Sequence, residues 1–140
     1  MKSILVIDDE PAVRKALQRV LSKAGYAVQV ADNGPAGLAA LAIQSVDIVI
    51  VDIIMPDVNG VDTIRSIALR FPEVGIIAIS GGGNFGPAQY QPYAIQTEAY
   101  LASAAIAGAH AILTKPFKSA DVVHAIAKVA NRVAGAETLN

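Results

Sequence analysis

Residues 48–60 read IVIVDIIMPDVNG, an aliphatic run that is interrupted by the carboxylate of Asp52. Four successive β-branched residues, from Ile48 to Val51, are typical of a parallel strand that is covered on both faces. An acid directly after such a run lies where the chain leaves the buried sheet. This stretch therefore predicts a buried strand that holds Asp52 at the rim of the sheet.

Short aliphatic runs alternate with longer segments of helical period along the rest of the chain, which is typical of strands joined by crossover helices. Strands are predicted at Ile4–Ile7, Ala27–Ala31, Ile48–Val51, Gly75–Ile79 and Ala111–Leu113. Helices are predicted at Ala12–Ala24, Ala36–Ile43, Val61–Phe71, Glu98–Ala107 and Ser119–Val133. Right-handed crossovers then give an α/β fold, a doubly wound parallel sheet with helices on both faces.

Local signals refine this outline. The run AVQVA at 27–31 alternates between apolar and polar residues, so its strand is predicted to lie at an edge of the sheet. Pro11 and Pro35 suit the first turn of a helix, whereas Gly25 and Gly108 suit a left-handed exit from one. These signals mark the ends of the predicted strands and helices, and no long linker separates them.

Composition limits the classes of protein that the chain can represent. Its 140 residues, 54% of them hydrophobic, suffice for one core, so we expect one domain over residues 1–134 and a fraying tail at 135–140. A net charge of −1 without a basic block argues against direct binding of nucleic acid. The absence of cysteine excludes disulfides and thiolate metal sites.

The N-terminal sequence MKSILVIDDE carries an apolar run that acids interrupt after four residues. Such a run is too short for the core of a signal peptide or for a membrane span. We therefore expect a cytoplasmic protein that has no membrane partner.

Polar side chains follow four of the predicted strands, at the point where each strand ends. They are Asp8-Asp9-Glu10, Asp52, Ser80-Gly81 and Thr114-Lys115-Pro116. Any one of these groups could be an ordinary helix cap or turn former. Because the carboxyl ends of the strands in a doubly wound sheet form the usual ligand site, the four groups together predict a functional site at one rim.

The order of these motifs resembles that of the receiver domains of two-component response regulators. The matching pieces are Asp8-Asp9, Asp52 with IIMPDVNG after it, Ser80-Gly81, and TKPF with Lys115 and the cis-prone Pro116. The resemblance covers essentially the whole chain and is specific as a combination, although each short motif alone is weak. It implies the flavodoxin-like strand order 2-1-3-4-5 and a stand-alone regulator similar to the chemotaxis regulators.

The resemblance also implies a role for each residue of the predicted site. Asp52 would be the phosphoacceptor, a nucleophile that takes a phosphoryl group from a phosphohistidine. Lys115 would pair with a phosphoryl oxygen, and Ser80 would donate a hydrogen bond to another.

A magnesium ion is the implied cofactor, since Mg²⁺ prefers oxygen ligands and keeps several waters. Its ligands would be Asp8, acting partly through water, Asp9, Asp52 and the backbone carbonyl of Ile54. Three acids against one lysine leave the site negative, which repels an anionic phosphodonor, and Mg²⁺ would cancel this charge.

Two features depart from the pattern of the family. Ile112 stands three residues before the lysine, where receivers commonly carry an aromatic switch residue, so an aromatic rotamer switch cannot operate. Ser80 and Lys115 are 35 positions apart, about a dozen more than the family needs, which predicts an extended loop at about 81–97.

Within this loop, three glycines satisfy the dinucleotide-binding pattern G-x-G-x-x-G, but Pro87 and Pro92 discourage the helix that must follow it. A mobile loop is the stronger interpretation. Its aromatic residues could form a partner surface or could merely hold the loop against the body of the domain. His110 and His124 have no metal-ligand spacing, so solvated or capping roles are predicted for both.

The function that the resemblance implies is that of a single-domain response regulator. It would receive a phosphoryl group from a sensor histidine kinase or a histidine phosphotransfer protein, and would signal to an unknown target by altered contacts or onward transfer. A homodimer through the fourth predicted helix, the fifth strand and the fifth predicted helix is possible. It would not be an enzyme beyond catalysing its own phosphorylation and dephosphorylation.

Two alternatives remain open from the sequence. A degenerate receiver would bind partners without being phosphorylated. An aspartate-nucleophile phosphohydrolase would also use Mg²⁺, but it places the nucleophile on its first strand with a second acid two residues later. Here Asp52 ends the third strand and Ile54 occupies the later position.

Overall fold

The computed structural model describes residues 2–53, 60–80, 105 and 107–139, with side chains described as far as Arg132 in the last helix. The strands are β1 Ser3–Ile7, β2 Ala27–Ala31, β3 Ile48–Asp52, β4 Gly75–Ser80 and β5 Ala111–Thr114. The helices with described bounds are α1 Pro11–Lys23, α2 Gly34–Ile43, α3 Gly60–Arg70 and α4 Ser119–Leu139. Each predicted strand is confirmed, with ends that differ by one residue at most.

All five strands are parallel and lie in the order β2-β1-β3-β4-β5, which confirms the predicted topology and the edge position of β2. Ile4 pairs with Val28 on one side and Ile48 on the other. Because every strand runs in the same direction, all five carboxyl ends lie at one rim of the sheet.

The sheet separates two apolar layers, and successive residues of the central strands enter them alternately. Leu5 and Ile7 of β1 pack with the layer under α2 and α3, whereas Ile4 and Val6 pack with the layer under α1 and α4. This alternation explains why the run is continuously aliphatic, since both faces of the strand are buried. Full burial of each such side chain stabilises the fold by about 1.5–3 kcal/mol.

Helix ends follow the local chemistry of the sequence. Pro11 opens α1, where its missing N–H leaves no helical hydrogen bond unmade. The Asn33 Oδ1 atom accepts a hydrogen bond of 2.7 Å from the Ala36 N–H and so caps α2. Gly25 and Gly108 have φ angles of 99° and 134°, which confirms their predicted left-handed conformations.

The last helix is longer than the sequence predicted. It continues past the predicted end at Val133 to Leu139, while fraying of residues 135–140 stays a prediction. Alanine, glutamate and leucine favour helix, and the single interruption at Gly135 costs only about 1 kcal/mol. The predicted helix Glu98–Ala107 lies mostly outside the described residues, although Ala105 and Ala107 are helical. The extended loop at about 81–97 also lies outside them.

His110 joins the strands β4 and β5 where their pairing begins. Its Nδ1 atom accepts a hydrogen bond of 2.9 Å from the Ile76 N–H, and its own N–H donates to the Ile76 carbonyl at 2.7 Å. This contact confirms a capping role. Partial burial, aided by the positive charge of Arg132, lowers the pKa of His110 from its usual value of 6.5.

The lowered pKa makes the stability of the fold depend on pH. Below pH 6.5 the unfolded chain protonates His110 before the folded chain does, so this contribution to stability is lost as the pH falls. We expect the free energy of unfolding to decline more steeply with falling pH in the wild type than in His110→Asn, which keeps an acceptor but does not titrate. Urea unfolding of both proteins across this range measures the difference, and parallel curves would contradict the prediction.

Among the helices of the described residues, none combines the length and the apolar composition that crossing a bilayer requires.

Candidate functional site

Four described elements of the sheet bring polar side chains to its carboxyl rim. Asp8 and Glu10 directly follow β1, Asp52 ends β3, Ser80 ends β4 and Lys115 follows β5. The Lys115 N–H donates to the Ser80 carbonyl at 2.8 Å, which extends the pairing of β4 with β5 by one residue. The sheet itself therefore fixes the backbone on which each side chain stands.

The Lys115 amine lies at the centre of three carboxylates. Its Nζ atom is 3.2 Å from Glu10 Oε1, and 3.5 Å from both Asp8 Oδ2 and Asp52 Oδ2. The side chains of Asp8 and Asp52 are 0% and 5% exposed, whereas that of Glu10 is 37% exposed. Two buried acids and one partly solvated acid thus share a single ammonium group.

Burial and charge act in opposite directions on these groups. Burial disfavours the ammonium form of Lys115, but the charges of Asp52, Asp8 and Glu10 outweigh it and raise the pKa of the amine. Burial raises the pKa of Asp8, and the hydrogen bond from the Glu10 N–H together with the charge of Lys115 offsets this only in part. Lys115 is therefore positively charged at neutral pH, while the Asp8 carboxylate is poorly compensated.

The loop after β1 holds Asp8 in a fixed orientation. Its Oδ1 atom accepts from the Glu10 N–H at 2.9 Å, and its backbone carbonyl accepts from Arg14 Nη1 at 2.8 Å. Its own N–H donates to the Ala31 carbonyl at 3.1 Å. These bonds direct the remaining oxygen, Oδ2, toward Lys115, and this oxygen accepts no hydrogen bond from any residue in the described ranges.

The same carboxylates form a set that fits a divalent cation. One oxygen from each of Asp8, Glu10 and Asp52 lies within 4.8 Å of the others. Asp8 Oδ2 is buried and has no hydrogen-bond donor among the described residues, and an oxygen-only ligand set is what Mg²⁺ prefers. The residues therefore fit magnesium, which would supply the positive charge that Lys115 alone does not.

Most of the predicted site residues converge, and one further acid joins them. Asp8, Asp52 and Lys115 meet as predicted, but Asp9 is not among the three acids that lie within 4.8 Å. Glu10, which the sequence reasoning gave no role, is in the cluster. The signal was its spacing: in an extended segment, residues two apart point to the same side, and Glu10 has an extended backbone with φ −89° and ψ 116°. A metal-binding role for Asp9 stays a prediction.

Ser80 lies at the end of β4, one residue beyond the pairing of Ile79 with Asp52. Its side chain is fully buried, and its Oγ atom has no hydrogen-bond partner within the part of the chain that the structure describes. A buried hydroxyl without a partner costs free energy, so such a group is typical of a position where a ligand completes the bonding. Ile54, whose carbonyl was predicted to bind the metal, lies outside the described residues.

Gly60 allows α3 to begin directly beneath the site. A Cβ atom added at Gly60 would collide with the backbone carbonyl of Asp52 and the Cα atom of Ile53. Only glycine permits this close approach. The backbone of Asp52 is consequently held between its neighbours in the sheet and the start of this helix.

A family model described as the response regulator receiver domain matches residues 4–127. This chain belongs to the response regulator receiver domain family. Receiver domains are signalling modules rather than ordinary metabolic enzymes. The membership confirms the resemblance drawn from the motifs, and the parallel sheet described above confirms the implied fold.

Two relatives show how far the similarity of this receiver domain extends. The chemotaxis protein CheY of Thermotoga maritima is 34% identical over 129 residues, which cover 91% of this chain and 97% of the relative. The DNA-binding transcriptional regulator NtrC of Rhizobium meliloti is 29% identical over 126 residues, which cover 90% of this chain and 23% of NtrC. This receiver domain therefore matches nearly the whole of one relative and a minor part of the other.

Solved structures agree with this placement. A CheY-like receiver domain protein from Methanospirillum hungatei JF-1 has a TM-score of 0.82 at 22% identity, with 96% of this chain and 98% of that chain covered, which shows the fold alone. The response regulator TrrA of Thermotoga maritima, solved in complex with Mg²⁺ and BeF, has a TM-score of 0.72 at 28% identity. The match covers 92% of this chain and 99% of TrrA. An acidic pocket that binds Mg²⁺ is a feature of receiver domains, and the three acids here fit it.

Proposed function

We propose that this receiver domain accepts a phosphoryl group on Asp52 in a Mg²⁺-dependent reaction, from a sensor histidine kinase or a histidine phosphotransfer protein. The observation that carries this proposal is the position of the Lys115 amine, 3.5 Å from both Asp52 Oδ2 and Asp8 Oδ2. A buried carboxylate beside a fixed ammonium group and a second acid is the arrangement that this transfer needs.

The transfer forms one bond and breaks another. A carboxylate oxygen of Asp52 attacks the phosphorus atom of the phosphohistidine. The bond between phosphorus and the imidazole nitrogen breaks, and the imidazole keeps the electron pair and then takes up a proton. The product on Asp52 is an acyl phosphate.

The residues around Asp52 stabilise the charge of the phosphoryl oxygens. Lys115 remains an ammonium group because its pKa is raised, and it donates an N–H to one oxygen. The Ser80 hydroxyl, buried and without a partner among the described residues, donates to another. Asp8 and Asp52 would hold Mg²⁺, which neutralises negative charge on the phosphoryl group when it is bound.

The phosphorylated domain would signal through altered protein contacts or by onward transfer to another histidine. Ile112 of the edge strand β5 is 40% exposed, and it lines a groove with Phe117 and with His124 of α4. An exposed apolar residue beside a groove suits contact with a target protein or a second copy of the domain. The groove supports the predicted contact surface on β5 and the last helix.

The test is phosphorylation by a small donor. We expect incubation with acetyl phosphate and Mg²⁺ to add the mass of one phosphoryl group to the intact protein, and Asp52→Asn or a chelator to abolish the increase. Asp62→Asn is the matched control, because Asp62 is an exposed acid of α3 that pairs with Arg65 at 3.4 Å. It should be phosphorylated like the wild type.

Other outcomes separate the alternatives. An unchanged mass in the wild type would contradict the proposal and favour a module that binds without phosphorylation. Steady hydrolysis of acetyl phosphate without a lasting mass increase would favour a phosphohydrolase. A mass increase that persists in Asp52→Asn would place the phosphoryl group on another residue.

A further inference from the structure

The contacts of Lys115 are divided unevenly among its three partners. Glu10 Oε1 is the nearest at 3.2 Å, the amine also donates to Asp52 Oδ2 at 3.5 Å, and Asp8 Oδ2 lies at an ion-pair distance of 3.5 Å without a hydrogen bond from the amine. An ammonium group has three N–H donors and no more, so each acceptor that it serves leaves one fewer for a new ligand. Two of these donors already serve Glu10 and Asp52, and the Asp8 carboxylate lies at ion-pair distance.

We propose that Glu10 is a positioning residue that competes with the phosphoryl group for the Lys115 amine. This inference rests on the proposed function. Of the three acids whose oxygens lie within 4.8 Å of one another, the two buried ones, Asp8 and Asp52, are those that a metal ion and the phosphoryl group would engage, which releases Lys115 from both. Glu10 remains as a carboxylate that holds the amine in its resting place, so the lysine must divide its donors between Glu10 and a phosphoryl oxygen.

The location of Glu10 suits this role. It is the most exposed of the three acids, and its backbone at the start of α1 is fixed by its own N–H, which donates to Asp8 Oδ1. Its carboxylate therefore reaches the amine from the solvent side, whereas Asp8 and Asp52 approach it from the buried side. Glu10→Gln removes the charge that Lys115 serves and keeps the backbone N–H that donates to Asp8 Oδ1.

The experiment measures the binding of a phosphoryl mimic. Beryllofluoride with saturating Mg²⁺ is titrated into the wild type, Glu10→Gln and Asp32→Asn. Because a partly exposed ion pair is weak, we expect Glu10→Gln to bind beryllofluoride roughly two- to five-fold more tightly, which corresponds to about 0.4–1 kcal/mol. The rate of phosphorylation by acetyl phosphate should rise by a similar factor.

Asp32→Asn is the matched control for the loss of a negative charge. Asp32 follows β2 at the same rim of the sheet, is exposed, and pairs with the Asn33 side chain rather than with Lys115. It should bind beryllofluoride like the wild type. Equal or weaker binding by Glu10→Gln would overturn the inference, and so would an equal gain in Asp32→Asn, since that would be an effect of net charge alone.

A second measurement keeps this inference separate from the proposed function. The free energies of unfolding of Glu10→Gln, Lys115→Met and the double variant form a cycle in metal-free buffer. If Glu10 holds Lys115, the effect of Glu10→Gln on the wild type is lost or reversed in the Lys115→Met background, where the Glu10 carboxylate faces only Asp8 and Asp52. Additive effects would overturn the inference even if the wild type is phosphorylated. Failure of the wild type to bind beryllofluoride would count against the proposed function, and the cycle alone would then decide whether Glu10 holds the amine.

Discussion

Replacing Lys115 with methionine is expected to lower the free energy of unfolding by about 3–5 kcal/mol in metal-free buffer at neutral pH. The amine contacts three carboxylates, and the side chains of Asp8 and Asp52 are almost completely buried. Without the amine, two buried acids and Glu10 face one another with no cation between them. Removing one partner from a buried ion pair is costly because the charge that remains has neither water nor a counter-charge.

Urea unfolding with a chelator present measures this effect. Lys118→Met is the matched control, since Lys118 lies three residues further on and is exposed, and we expect its effect to stay within about 0.5 kcal/mol. Lower pH should restore part of the stability of Lys115→Met, because protonation of the carboxylates removes their repulsion. A loss of less than about 1 kcal/mol for Lys115→Met would contradict the interpretation that the amine compensates these acids.

Asp8→Asn is expected to stabilise the protein, in contrast to Lys115→Met. Its free energy of unfolding should be about 1–3 kcal/mol higher than that of the wild type at neutral pH without metal. Burial raises the pKa of Asp8, so ionising its carboxylate costs the folded protein more than the unfolded chain. Asparagine keeps an oxygen that accepts from the Glu10 N–H and introduces no charge. The expected gain thus reports how poorly the Asp8 carboxylate is compensated.

The difference in stability between Asp8→Asn and the wild type should depend on pH, which gives a second test of this prediction. Below the unfolded-state pKa of 3.8, Asp8 is protonated in both states and the two proteins should differ little. The advantage of Asp8→Asn then grows as the pH rises from 3.8 through the higher pKa of the folded state, and stays constant above it. A variant that is less stable than the wild type at neutral pH would show that the carboxylate is adequately paired.

Magnesium should make the wild type more stable than Asp8→Asn, which reverses the order of stability expected without metal. A cation that binds only the folded state stabilises it according to its concentration and affinity, so Mg²⁺ should stabilise the wild type far more than Asp8→Asn. Asp47→Asn is the control, because Asp47 is bound to the Ser3 N–H at the other end of the sheet and should leave the response to Mg²⁺ unchanged. An equal response in Asp8→Asn would exclude Asp8 as a ligand.

Periodicity was sufficient to predict the strands, because burial on both faces requires a continuous aliphatic run such as Ile48–Val51, whereas the edge strand β2 alternates between apolar and polar residues. Their order followed from the resemblance to receiver domains and is confirmed. The helix ends were predicted less accurately than the strands. Helix α1 begins at Pro11 rather than Ala12, and α4 extends to Leu139 rather than Val133. The difference arises because capping and propensity vary only slightly from one residue to the next at a helix end.

The functional site was also predicted in part from the sequence. Motif order alone identified Asp52, Lys115 and the acids after β1 as one group, since parallel strands with right-handed crossovers must bring their carboxyl ends together. Which of those acids faces Lys115 depends on the backbone angles of the loop after β1, and these result from contacts with distant residues such as Ala31. The amino-acid sequence by itself therefore determined the sheet, the family and the composition of the rim. Only the tertiary structure decided that Glu10, rather than Asp9, shares the lysine, because the direction of a side chain in a loop depends on long-range packing that no local pattern contains.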